Sequence, residues 1–274
     1  MGTPERADRT ASGGILVAVP NVSLNDERIL ASLPSANLLD VQWDEDHGRG
    51  VVTFGDSVAS AVGTCLDFIA WAVARLRLPD HRGVHPRFGV VDVLPIIPYP
   101  GNEAAQAIAV DLGRRIEKEL RVPVHYYGRS DPSGRSLPEL RRYLRSTPHQ
   151  THPTAGVVCI GVRDPLVAFN VNFRGDLSVA RRVARDARGL EVRALGFELR
   201  SRSLVQVSMN LIAPERVGPK AAFDRVVSLA GDLELVDCEV VGLVPHPILA
   251  ELEGLPLRAP VRSIEQALEE KGLL

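Results

Sequence analysis

Two histidines and two arginines crowd into His81-Arg82-Gly83-Val84-His85-Pro86-Arg87, just upstream of the apolar run Val90-Val91-Asp92-Val93-Leu94-Pro95-Ile96-Ile97-Pro98. Imidazole exchanges protons closer to neutral pH than other side chains, and a guanidinium is a permanent cation that forks onto carboxylates. A loop that concentrates both and is anchored by a buried strand suits acid/base work on an acidic substrate. Pro86 biases His85 toward an extended backbone, so its side chain should project from a loop rather than a helix. His81 and His85 have the spacing of a helical metal pair. However, Gly83 lies between them, Pro86 follows directly and no Glu follows His81, so no metal site is expected. Arg87 reads either as a grip on a substrate carboxylate or as an ion-pair partner.

Other polar residues are spaced for a site. Asp46, His47 and Arg49 fall in the polar stretch 44–50 and read either as ligand-facing groups or as a turn held by local hydrogen bonds. Asn170 and Asn172 alternate within strong strand formers and should share one sheet face. Amides on such a face need partners, and a cleft-lining role is favoured over purely structural bonds. Gln206, Ser208 and Asn210 repeat the same period. Asp92 reads as an orienting partner of a loop residue or as a backbone acceptor. Arg129, Arg135, Arg141, Arg142 and Arg145 read as a solvated helix face and loop or, more sharply, as a contact for an anionic ligand tail.

The elements that must position these residues alternate. Strands are expected at 15–19, 38–43, 51–54, 90–97 and 122–127, with helices at 24–33, 57–76, 102–120 and 137–144. Beyond residue 156 come strands at 157–162, 166–173, 192–199, 204–211 and 233–241 and helices at 178–187 and 219–230. Residues 166–241 follow β-α-β-β-α-β, the ferredoxin-like order, and the first half can be read the same way with a helix and strands appended. The expected fold class is α+β: two ferredoxin-like α/β sandwich subdomains with a cleft between their sheets. Residues 1–13 read as a disordered lead-in without the apolar core of a signal peptide, residues 14–163 as the first subdomain and 164–274 as the second.

The 274 residues are 45% hydrophobic and 24% charged with a net charge of -2, which offers no argument for a nucleic-acid or membrane partner. Cys65, Cys159 and Cys238 are odd in number and far apart, so they form no metal spacing or disulfide framework and fit a cytoplasmic protein.

The loop also carries a resemblance. His81, Gly83, His85, Pro86, Arg87, Gly89, Asp92, Pro95 and Pro98 fill the pattern H-x-G-x-H-P-R-x-G-x-x-D-x-x-P-x-x-P, which is similar to that of the glutamate formiminotransferases. Further blocks resemble that family in the same order: Val19-Pro20-Asn21, Asp46-His47-x-Arg49, Pro123 to Gly128, Ala168-Phe169-Asn170-Val171-Asn172, Gln206 to Leu211 and Val241 to Pro245. The resemblance implies transfer of the formimino group from N-formimino-L-glutamate to N5 of tetrahydrofolate in histidine degradation. His85 would be general acid/base and tetrahydrofolate the co-substrate. It further implies substrate or folate contacts from His81, Arg87, Asp46, His47, Arg49, Asn21, Asn170, Asn172, Gln206 and Asn210, a cytoplasmic homodimer, and a transferase without the cyclodeaminase fused to it in some relatives.

The pattern is broken in three places. Asn21-Val22-Ser23-Leu24-Asn25 replaces Asn-x-Ser-Glu-Gly, Gln42 replaces an ionisable residue, and 146–153 stands where the family carries W-x-P-D-x-G-P. An alternative reading is therefore a diverged, non-catalytic member that binds folate or another acidic ligand, or an enzyme with a different donor.

Overall fold

The computed structural model describes residues 14–99 and 104–274. The expected lead-in and the start of the helix expected at Asn102 lie outside them.

The first sheet contains β1 (Ile15–Ala18), β2 (Asn21–Ser23), β3 (Leu38–Asp44), β4 (Arg49–Ser57), β5 (Val91–Tyr99), β6 (Val124–Gly128) and β7 (Val158–Val162). β1 and β2 share one lane, both pairing antiparallel with β4 on one side and β5 on the other. The lane breaks at Val19-Pro20 because proline has no N–H to give the ladder. β3 adds to β4 antiparallel, and β7 and then β6 add to β5 in parallel. Across β5, β1/β2, β4 and β3 this is the ferredoxin-like strand order, with two parallel strands appended. The second sheet has β8 (Val167–Arg174), β9 (Val192–Leu199), β10 (Leu204–Leu211) and β11 (Glu234–Val241). They lie antiparallel in the order β11-β8-β10-β9, the same arrangement.

Helices α1 (Ala61–Arg75) and α2 (Ala105–Arg115, prolonged by a π turn over Ile116–Leu120) cover one face of the first sheet. α3 (Leu137–Ser146) packs Leu140 and Leu144 against Val93, Val157 and Cys159 on the other face. Covered on both sides, β5 is buried from Val91 through Ile97, which explains its unbroken apolar run. α4 (Leu177–Ala187) and α5 (Pro219–Leu229) pack on the second sheet, over Phe169, Val171 and Phe173 of β8.

After the short α6 (Leu249–Leu252), the chain returns to the first sheet. There Ile264, Ala267 and Leu268 of α7 (Ile264–Glu270) pack on Val17, Leu39 and Ile97. Fully burying a side chain such as Leu268 contributes about 1.5–3 kcal/mol. Arg262 reinforces this return by donating to the Leu39 carbonyl at 2.8 Å.

Two local expectations differ from the structure. The helix expected at 24–33 is a 3-10 turn, Glu27–Ser32, with no buried residue. The segment is confined between Asn25 and Pro34, so it is too short for the cooperative run an α-helix needs. β2 is a strand that periodicity had not indicated, since three residues carry no readable period. No described helix is long and apolar enough to cross a membrane.

Candidate active site

Two loops of the first subdomain meet in a tight approach. The turn 45–48 joins β3 to β4, and the segment 81–89 leads from α1 into β5. Gly48 has φ +56°, and a Cβ on Gly83 would come within 2.1 Å of the His47 carbonyl oxygen, so only glycine at 83 lets the backbones touch. Val84 N–H donates to Asp46 O at 3.1 Å. His81 bridges the contact: its Nε2–H donates to Gly48 O at 2.6 Å while Nδ1 accepts from Gly83 N–H at 3.0 Å. That pair of partners assigns a neutral ring.

Arg87 lies against the His81 ring and donates to three backbone carbonyls, those of His85 (2.8 Å from Nε), His47 (3.1 Å) and Gly83 (3.1 Å). Burial, and then the charge of Arg49, push its pKa down to about 10. Its N–H groups are thus turned to the frame of the two loops, not outward as a carboxylate grip.

His85 is part-buried at the end of this frame, with ring centroids 6.1 Å from His47 and 5.8 Å from Phe197 of β9. Burial first, then the charge of Arg49, hold its imidazole well below the usual 6.5, with Arg141 and His47 adding and the Pro86 carbonyl opposing. Nδ1 of His85 faces both Nη1 of Arg49 and, at 3.0 Å, the Pro86 carbonyl. One ring nitrogen cannot accept and donate at once. Arg49 always carries its protons, so with Arg49 in place Nδ1 accepts and the proton of the neutral ring sits on Nε2. If Arg49 moves, the alternative is Nδ1–H donating to Pro86 O, which leaves Nε2 with a free lone pair.

Behind Arg49 lies Asp92, fully buried on β5. Its Oδ2 accepts from Nη2 of Arg49 at 2.8 Å and from Nη2 of Arg141, and its Oδ1 accepts from Phe88 N–H at 2.8 Å.

The second subdomain closes the site from the opposite side with the polar face of its sheet. The buried His47 donates from Nε2 to Gln206 Oε1 at 2.9 Å. Gln206 Nε2 in turn donates to Asn172 Oδ1 at 3.0 Å and to Glu239 Oε1 at 2.9 Å. Asn172 donates to Asp237 at 2.6 Å, and Arg202 holds the other oxygen of Asp237, also at 2.6 Å. Asn170 donates to Glu239 at 3.2 Å. The amides have partners throughout, as a buried polar face requires. Arg202 nevertheless keeps a buried Nη1 without an acceptor among the described residues.

Asp46 spans the subdomains, accepting from the Ser201 N–H at 3.1 Å and the Ser201 hydroxyl at 2.6 Å. Asn21 donates to Val19 O at 2.9 Å across the break in the β1/β2 lane. Asn210 lies four residues along β10 from Gln206, roughly 13 Å away at strand rise, and is exposed.

The structure therefore brings together His85, His81, Arg87, His47, Arg49, Gln206 and Asn172, with Asn170 alongside. Asp46 sits at the rim as a link, and Asn21 and Asn210 take separate positions. Phe197, Asp237 and Glu239 were not singled out from sequence, and Arg141, grouped there with a solvated helix face, is instead 15% exposed and bound to Asp92. Arg141 had a signal: with Leu137, Leu140 and Leu144 it forms an i, i+3, i+4, i+7 stripe, an arginine inside an apolar face. Asp237 and Glu239 repeat the period of two on β11. A concavity of about 700 Å³ between α1 and α2, lined by Val58, Ser60, Gly63, Ile108 and Asp111, lies apart from this chemistry.

Comparison with known proteins places the site in context. Residues 19–163 match the formiminotransferase domain, N-terminal subdomain, a match ending one residue past β7. The glutamate formimidoyltransferase of Thermoplasma acidophilum is 30% identical over 274 residues, covering 87% of this chain and 90% of that protein. That of Streptococcus pyogenes serotype M1 is 29% identical over 270 residues, covering 89% and 90%. The formimidoyltransferase-cyclodeaminase of Sus scrofa is 32% identical over 256 residues, covering 82% of this chain and 47% of that longer protein.

Proposed function

The chain belongs to the formiminotransferase family, and from that premise we propose that it transfers the formimino group of N-formimino-L-glutamate to N5 of tetrahydrofolate, with His85 as general acid/base. The observation that carries this reading is the setting of His85: part-buried where the two subdomains meet, kept neutral, and one hydrogen bond away from a tautomer with a free Nε2.

The reaction asks for such a group. N5 attacks the formimino carbon to give a tetrahedral intermediate, losing a proton as the new C–N bond forms. The glutamate nitrogen gains a proton as its own C–N bond breaks. One imidazole that accepts the first proton and returns the second satisfies both steps, provided it is unprotonated at the start. The depressed pKa keeps it so below neutral pH. In the Nδ1–H tautomer, Pro86 O holds the ring proton and Nε2 is the accepting atom.

Arg49 and the His47, Gln206 and Asn172 chain form the ligand-facing set in this reading. His81, Arg87 and Asp46 form the frame that holds them. A polar sheet face of amides and carboxylates, with an unpaired buried N–H on Arg202, suits the amide edge of a pterin and a ligand carrying carboxylates. Tetrahydrofolate is then a co-substrate, and the step belongs to histidine breakdown in the cytoplasm, carried out by a homodimer.

Steady-state assay of the native chain and of His85→Ala with formiminoglutamate and tetrahydrofolate tests the reading. The variant should lose about 10²–10⁴-fold in kcat while still binding folate. A native chain that binds folate yet turns nothing over would instead make it a diverged binding member.

A further inference from the structure

Asp92 is a fully buried carboxylate shared between two cations. Its Oδ2 takes an N–H from Arg49 on β4 and another from Arg141 on α3, and its Oδ1 is occupied by the Phe88 amide. An arginine with a carboxylate to itself settles into the two-bond fork. Arg49 does not: it keeps Nη2 on Asp92 and turns Nη1 to Nδ1 of His85. Two groups compete with it there: the Phe88 amide holds Oδ1, and Arg141 shares Oδ2. Arg141 is no surface residue, since its side chain is 15% exposed and leaves α3 beside the buried Leu140 and Leu144.

We propose that Arg141 is a positioning residue for His85: by occupying the shared oxygen of Asp92 it turns Arg49 onto Nδ1 and holds the ring in the form protonated at Nε2. Release of Arg49 is then the event that lets Nδ1 take the proton, bond to Pro86 O and expose the Nε2 lone pair. The charged and titratable groups facing the ring are Arg49 and Asp92 from the sheet, Arg141 from α3, His47 from the facing turn, and Arg87 and His81 from its own loop. β9 contributes the uncharged ring of Phe197. Removing Arg141 leaves Oδ2 of Asp92 to Arg49 alone, so Arg49 should be drawn from Nδ1 toward Asp92 and the imidazole should become easier to protonate, in line with the direction in which Arg141 acts on it.

The kinetic consequence rests on the proposed function; the tautomer does not. Nitrogen NMR of protein labelled with ¹⁵N-histidine reads the tautomer directly, with the His85 signals assigned by their loss in His85→Gln. The native ring should be protonated at Nε2. In Arg141→Gln it should move toward Nδ1 protonation, with its titration midpoint raised by about one pH unit. The acid limb of kcat/KM should move by the same amount, with the KM for formiminoglutamate unchanged. Arg141→Lys, which keeps a charge on Asp92, should restore the native signature.

A native ring protonated at Nδ1 overturns the proposal, as does an Arg141→Gln variant with unaltered tautomer and midpoint. A tenfold rise in KM at constant kcat also overturns it, because Arg141 would then be a substrate anchor. If Arg141→Gln does not fold, Arg141→Met, matched to the leucine stripe, takes its place. If the native chain shows no formimino transfer, the proposed function fails while the NMR arms still decide this proposal.

Discussion

The two sheets share one strand order and use it in opposite ways. The first is covered on both faces by α1, α2, α3 and α7, so its chemistry is carried by loops at its margin, where His81, His85 and Arg87 meet His47. The second is covered by α4 and α5 on one face only, and it turns amides and carboxylates of β8, β10 and β11 toward those loops. The two regions differ in electrostatic character as well. The loop side concentrates cationic groups around a single buried carboxylate, and burial first and those cations second depress the His85 pKa. The sheet side is a chain of donors and acceptors in which the amides are all matched and Nη1 of Arg202 is left over. One half holds a group away from its ordinary protonation behaviour, and the other fixes where that group sits.

Asp92→Ala should be the most damaging change on the loop side. Removing the carboxylate strands two part-buried guanidinium groups, a loss of about 3–5 kcal/mol for breaking a buried pair from one side, measured as a drop in denaturant midpoint. Gln206→Ala should cost less, about 1–3 kcal/mol, because it removes one hydrogen bond each from His47, Asn172 and Glu239, and Glu239 keeps Asn170 and Arg258, so no pair of charges is stranded. If Gln206→Ala proves costlier than Asp92→Ala, the division into a loop side built on one shared carboxylate and a sheet side built on a distributed network is wrong.

The smallest effect is on pH. The folded His85 ring resists protonation below its ordinary 6.5, while the unfolded ring takes the proton, so the unfolded state binds more protons in that window. The stability owed to His85 is complete above about pH 6.5 and declines as pH falls from there toward the folded value. His125, lowered by burial and then by His149, acts in the same direction. Melting temperatures of the native chain and His85→Gln should converge as pH falls through this window. A constant gap would break the account of His85 as a neutral ring held by cations.

Much of this was readable from local pattern. β9 and β10 have the bounds their alternating residues indicate, and β8, α4 and β11 agree within a residue. His85 as a loop residue followed from Pro86, and the shared face of Asn170 and Asn172 followed from a period of two. The partners were not readable. Arg87 offers the same fork to a substrate carboxylate or to three backbone carbonyls, and only the glycine-permitted approach of the two loops selects the carbonyls. Asp46 reads as part of a turn, yet it pairs with Ser201, 155 positions away.

The sequence by itself determined most of the elements, the two repeated sheet orders and the family, because these depend on hydrophobic period, turn chemistry and an ordered set of motifs. Only the tertiary structure decided which arginine touches His85, that Arg141 shares Asp92 with Arg49, and that α7 returns to the first sheet. These are contacts between residues dozens to hundreds of positions apart. Hydrogen bonds and ion pairs act over about 3 Å, and no local pattern records which distant groups the fold will bring within that reach.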